Sequence, residues 1–307
     1  LAIIINWALF GVLSIQVYLY SQVFPNDRPM LKALVIGIYI METVQTFLLT
    51  QTIWKMLVQG FGDIEGTDEV GTTFFSVCFI GGLVGFLVQL FYSWRIAIIS
   101  QKRLIPGLIV IISLISFGGA LATTINSKRY SKFSELLDDN QSLAFTLWSG
   151  AGSVCDVVIA FCMCYYLRKR KGSFSQTQAL VSRLVAMTIE TGVLTASISI
   201  LSLALYYSPR LKNFSYFEVP LSTQGKLYST TMLAVLNSRI KAKVATESTA
   251  WRDEELVFTT LPPRDTNMLR LHISSLHASP SGDVFGANKF DTTATEVSHL
   301  FLEPRIN

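Results

Sequence analysis

The chain has 307 residues, half of them apolar and only 15% charged, with a mean hydropathy of +0.44. A soluble domain usually carries about 25% charged residues, so an ordinary soluble fold is excluded. The formal charge of +4 is too small to point to nucleic acid, and no nucleic-acid partner is expected.

Seven apolar segments separated by polar breaks occupy the chain up to Arg239. Each is close to the roughly 20 apolar residues that an α-helix needs to cross a bilayer core. A backbone in lipid must satisfy its own hydrogen bonds, so each segment should be helical. The first covers residues 1–24, the second 33–54 and the third 71–95, after an acidic, glycine-bearing break. The fourth, 104–125, opens with Pro106, a residue tolerated in a first helical turn. The fifth and sixth cover 143–167 and 182–207. The seventh, 219–238, is the most polar, and Lys226 near its outer part is expected to snorkel to the surface. No basic stretch followed by a small-residue cleavage site precedes Gln22, so no signal peptide is expected.

Lys and Arg counts in alternate breaks set the orientation of such a chain. The breaks on the side of Arg28, Arg103, Arg168–Lys171 and Arg239 hold thirteen basic residues against seven on the other side. The richer side is expected to be cytoplasmic, which gives an external N-terminus and an internal C-terminus. Aromatic residues should mark the two interfaces: Trp54, Trp148, Tyr206 and Tyr207 outside, and Tyr18, Tyr92, Trp94, Tyr165 and Tyr166 inside. Beyond about Val244 the chain turns Ser/Thr-rich and holds Pro262, Pro263, Pro280 and Pro304. The expected organisation is an all-α, polytopic seven-helix domain at 1–240 and a disordered cytoplasmic tail at 241–307. The run Arg168–Lys171 is read as a topology signal rather than a lipid-binding patch.

Ionisable groups inside apolar spans are costly and are functional candidates by default. Glu42, Asp156 and Glu190 are the three acids so placed, with Glu42 and Asp156 near mid-membrane. No Lys or Arg is expected at their depth, so they are read as neutral, hydrogen-bonded carboxylic acids. Gln45 and Thr46 follow Glu42 at helical spacing and extend a polar stripe. Gln16, Gln89, Thr195 and Asn237 add polar groups to other helices. Glu42, Gln45, Gln89, Asp156, Glu190 and Asn237 form the candidate intramembrane polar site. The alternative is that such groups only form interhelical hydrogen bonds, each worth roughly 0.6 kcal/mol. The glycine step from Gly81 to Gly85 suits close packing within the bundle, or a homo-oligomer interface.

Cys78, Cys155, Cys162 and Cys164 all lie in apolar spans, so no structural disulfide is expected. His272, His277 and His299 all lie in the tail. The spans therefore offer no histidine haem ligands, no histidine-rich metal site and no HExxH motif. No phosphate-binding glycine loop occurs either. A non-enzymatic protein without cofactor or metal is expected.

Several short stretches recur in the order of one known family. They are Phe10–Gly11, Gln16–Tyr20, Pro25–Asp27, Val88–Tyr92 and Arg95–Ile96. Further along come Leu147–Trp148, Asp156–Ala160, Arg183–Val185, Glu190–Thr195, Lys226–Tyr228 and Leu233–Arg239. Over roughly residues 8–240 the chain resembles a fungal family of uncharacterised seven-span membrane proteins, a domain of unknown function abundant in mushroom-forming fungi. The resemblance implies topology and a fungal membrane setting, and supplies no catalytic residues. G-protein-coupled receptors share only the span count. Helix three ends Tyr92–Ser93–Trp94–Arg95, and the seventh span lacks Asn-Pro-x-x-Tyr. A retinal lysine in the middle of the seventh span is also not expected, because Lys226 is placed near its outer end. The functional expectation is a receptor-like or sensory protein of the plasma membrane with a cytoplasmic signalling partner. A proton- or cation-linked transporter using the three acids is the alternative, and a structural membrane protein is the third reading.

Overall fold

Among the described residues, helices form where the apolar segments predict them. A computed structural model describes residues 2–59, 75–127, 139–169, 175–208 and 216–240. Seven α-helices lie among them: α1 (Ala2–Val23), α2 (Pro29–Trp54), α3 (Gly81–Ser100), α4 (Leu104–Ser127), α5 (Asp139–Lys169), α6 (Ser175–Tyr207) and α7 (Glu218–Asn237). Two π-helical turns, Lys55–Gln59 and Phe75–Ile80, extend α2 and precede α3. The chain divides into the units Leu1–Arg239 and Ile240–Asn307. The expected tail and the breaks around Gly60–Gly71, Lys128–Lys132 and Arg210–Lys212 lie outside the described residues.

Local chemistry sets the helix ends. Pro29 occupies the first turn of α2, where its missing N–H is no loss. α3 stops at Gln101, whose left-handed backbone (φ 55°, ψ 13°) lets its N–H donate to Ala97 O at 3.1 Å. Inside the helices many Ser and Thr hydroxyls donate to the carbonyl one turn back. Thr46 to Glu42 O (2.8 Å), Thr123 to Gly119 O (2.8 Å) and Ser153 to Ser149 O (2.8 Å) are examples. That back-bonding satisfies a polar hydrogen without water and lets such residues sit in apolar helices.

Among the described residues six helices are long and apolar enough to cross a membrane, and α7 is not one of them. The expectation of seven spans thus meets seven helices among the described residues, six of them apolar enough to cross a membrane. α7 is rich in Ser, Thr and Gln, yet most of its side chains are buried. It packs on α1, α2, α3 and α6, while α3 packs on α2, α4, α5 and α7. The polar helix is thus tolerated because its neighbours, not lipid, surround it. Two glycines permit the closest approaches between helices. A Cβ on Gly119 of α4 would come within 2.6 Å of Trp148 N, and one on Gly82 of α3 within 2.5 Å of Ala120 Cβ.

An apolar cluster closes the end where α2 finishes and α7 begins. Phe145, Trp148, Tyr206, Phe217 and Leu221 meet there, with Phe145 and Tyr206 centroids 4.6 Å apart. Trp148 and Tyr206 are therefore core residues, not lipid-boundary residues as expected, and Tyr92 is buried too. Trp54, Tyr18, Tyr165 and Tyr207 do face outward. All four cysteines are free thiols.

Candidate functional site

The first of two buried acids sits at the α2–α7 contact. Glu42 and Lys226 are both fully buried, and Lys226 Nζ lies 2.6 Å from Glu42 Oε2. The ammonium also donates to Glu42 O at 3.0 Å and Gln45 Oε1 at 3.4 Å, which uses all three of its protons. Phe10 of α1 turns its ring toward the same Nζ, 5.6 Å from centroid to nitrogen. On the other carboxylate oxygen, Ser229 Oγ donates to Glu42 Oε1 at 2.7 Å. Gly225 makes room for the pair, because a Cβ there would stand 3.3 Å from Glu42 Oε1 and 3.4 Å from Gly81 Cα. One helical turn toward the aromatic end, Asn6 of α1 donates to Ser222 O, and its Oδ1 shares the Thr46 hydroxyl proton with Glu42 O.

This arrangement corrects two expectations. Lys226 does not snorkel outward, and Glu42 has a basic neighbour at its own depth. Position explains it: Lys226 is the ninth residue of the twenty in α7, enclosed by α1 and α2. A lysine there has no path to water, so it must find an anion inside.

The second buried acid is held from the opposite side of α7. Asp156 of α5 is 4% exposed. Its Oδ1 accepts from Gln89 Nε2 of α3 at 3.0 Å, and its Oδ2 from the Tyr228 hydroxyl at 2.6 Å. Gln224 Nε2 donates to Tyr228 OH at 3.4 Å and to Ser199 Oγ of α6 at 2.8 Å. α7 therefore presents Tyr228 to one acid and Lys226 and Ser229 to the other. Gly85 lies directly against Tyr228, since a Cβ would reach its ring at 3.3 Å. The glycine step of α3 thus serves packing within the bundle.

Two cavities beside these groups are no larger than a water molecule. One lies among α3, α4, α5 and α7, bordered by Ser113, Ser116, Gln224 and Tyr228. Ser113 Oγ and Gln224 Oε1 are buried without a partner there. The other lies between α3, α5, α6 and α7 beside Asp156.

The remaining candidates fall elsewhere. Asn237 lies near the opposite end of α7, where its Nδ2 donates to Gln16 O at 2.9 Å. Just beyond, Arg239 pairs with Asp27 at 2.5 Å, Tyr20 OH donates to the same carboxylate at 2.9 Å, and the guanidinium lies 4.3 Å from the Phe24 ring. Glu190 is exposed on α6 and joins neither buried cluster, a correction to the candidate site. Gly192 and Thr195 face the bundle, and Glu190 stands two positions before Gly192, roughly 200° around the helix. The side chain of Arg183 lies outside the described residues. Tyr228, Gln224 and Ser229 are partners in the buried networks that the sequence alone does not single out. The signal was the run Ser222–Thr231, too polar to face lipid and so bound to face the interior.

Among the described residues, no group of three His, Cys, Asp or Glu is placed to hold a metal ion. The family described as a family of unknown function (DUF6534) matches residues 152–241. That stretch runs from within α5 through α7 and includes Asp156, Lys226 and Tyr228, but not Glu42. No curated protein matches the chain, and no solved structure does. Six apolar helices and a domain of unknown function make this a helical membrane protein of unknown activity.

Proposed function

We propose that the chain is a seven-span member of the fungal family it resembles, non-enzymatic and receptor-like, set in the plasma membrane with its N-terminus outside. In this reading α7 is the seventh crossing and a cytoplasmic partner reads the inner surface and tail. The observation that carries it is the closed interior. Each buried acid is bound by α7, and the cavities beside them admit no more than a water-sized body. A helix that grips both sides of the core through charged and hydroxyl groups suits a change of state passed along α7. The small size of the two cavities among the described residues supports a receptor over a conduit. The basic bias supports the orientation, and the withdrawal of Lys226 into the core removes one charge from the poorer side, which sharpens it.

Transport is the second reading, favoured by the cavity that touches Asp156. Reconstituted vesicles separate the two. Under an imposed pH or alkali-ion gradient, the receptor-like reading expects wild-type vesicles to leak no faster than protein-free ones. A gradient-driven flux lost in Asp156→Asn would overturn it in favour of transport.

A further inference from the structure

Gln224 is the branch point of the second buried network, and its neighbours fix which way its amide points. Tyr228 gives its hydroxyl proton to Asp156 Oδ2 at 2.6 Å, and Ser199 gives its own to Thr195 O at 3.1 Å. Each hydroxyl oxygen is left to accept, so the amide nitrogen is the atom that faces them, at 3.4 and 2.8 Å. The carbonyl end, Gln224 Oε1, is thereby turned away from both. It is buried with no hydrogen-bond partner among the described residues, and so is Ser113 Oγ of α4. Such atoms are costly, and in folded proteins nearly all of them find a partner, ordered water included.

Both residues border the same cavity, the one among α3, α4, α5 and α7. It has room for about one water molecule, and every described side chain around it is neutral. Ser116 of α4 borders it too, and its proton already goes to Trp148 O at 2.8 Å, which leaves its oxygen to accept. We propose that this cavity binds one ordered water molecule, which accepts from the Ser113 hydroxyl and donates to Gln224 Oε1 and Ser116 Oγ.

Donors and acceptors balance in that arrangement. Water brings two protons and two lone pairs, and the cavity offers two acceptors and one donor. Three hydrogen bonds is the usual number for a buried water. A cation is disfavoured because no carboxylate borders the cavity, and an apolar guest because it would leave Gln224 Oε1 and Ser113 Oγ unpaired. A bridge through water is nearly as favourable as a direct hydrogen bond. It carries the network from Gln89 of α3, through Asp156 of α5 and Tyr228 and Gln224 of α7, across to α4. Gln224 also reaches Ser199 of α6, so one water completes a polar link among five helices.

The direct test is a crystal structure of the full chain, grown from lipid, at a resolution that shows ordered solvent. The expected result is one solvent peak within about 2.6–3.2 Å of both Gln224 Oε1 and Ser113 Oγ. A cavity without such a peak, or a direct bond between the two groups, would overturn the proposal. Oxygen-17 magnetic relaxation dispersion tests it in solution by counting long-lived internal waters. Ser113→Val removes the donor and puts a methyl group in the water's place, so the count should fall by one from wild type. Glu190→Gln, on the exposed face of α6, should leave the count unchanged. An undiminished count in folded Ser113→Val would overturn the proposal equally. Should that variant not fold, the wild-type crystal structure decides.

Discussion

Replacing Lys226 by Met probes the interior most sharply. Met approximates the lysine stem in length and shape, so packing against Phe10 and Gly225 survives while the ammonium disappears. Three contacts go with it: Glu42 Oε2 at 2.6 Å, Glu42 O at 3.0 Å and Gln45 Oε1 at 3.4 Å. Glu42 would keep only the Ser229 hydroxyl as a donor to its carboxylate, with both original partners fully buried. Breaking one side of a buried ion pair typically costs about 3–5 kcal/mol, because the surviving charge is left uncompensated. Glu42→Gln should cost a similar amount by stranding the ammonium. Removing both charges together, in Glu42→Met with Lys226→Met, should recover most of the loss, since buried pairs replaced by apolar groups are often neutral or better. The assay is equilibrium unfolding of the purified protein in mixed detergent, analysed as a double-mutant cycle. A Lys226→Met protein within about 0.5 kcal/mol of wild type, the range of an exposed substitution, would refute the reasoning. It would place Lys226 at the surface after all.

Other outcomes follow from the same geometry. Gly119→Ala should destabilise the bundle by about 1–3 kcal/mol in the same unfolding assay, because its Cβ would stand 2.6 Å from Trp148 N, against backbone that cannot turn aside. Glu190→Gln should change stability by less than about 0.5 kcal/mol, and a larger loss would show that its exposed carboxylate has a partner. Asp27→Asn should cost about 1.5–3 kcal/mol by weakening the largely buried, charge-assisted contact to Arg239, with little of that loss removed by high salt because buried pairs are weakly screened. Reporter fusions after Lys171 and after Lys243 should both be cytoplasmic, and one after Lys132 external. A reversed pattern would overturn the orientation.

The helices were legible because apolar length is a one-dimensional signal. Runs such as Leu104–Ser127 declare themselves without knowledge of their neighbours. The partner of Glu42 was harder, since it lies 184 positions away and only the adjacency of α2 and α7 brings it near. Depth alone gave a clue. Glu42 lies twelve residues from the end of α2 and Lys226 eight from the start of α7, or roughly 18 and 12 Å by helical rise. The difference is within the reach of a lysine's four-carbon stem. Glu190 was misjudged for another reason. α6 is apolar around much of its circumference, so its sequence does not show which face meets the bundle. The contact of Gly192 with Ala160 fixes that phase, and it appears only once α5 and α6 are packed. α7 illustrates the converse: the sequence marks it as the most polar of the seven spans, and packing makes most of its side chains buried.

The central feature of the fold is the Glu42–Lys226 pair sealed between α2 and α7. Infrared difference spectroscopy between wild type and Glu42→Gln, in lipid at neutral pH, reads the state of that one side chain directly. The account predicts that the substitution removes a carboxylate band and leaves the protonated-carboxyl region unchanged, because Glu42 faces an ammonium at 2.6 Å. Loss of a protonated-carboxyl band instead would mean that Glu42 is a neutral acid, and the ion pair at the centre of the account would be contradicted.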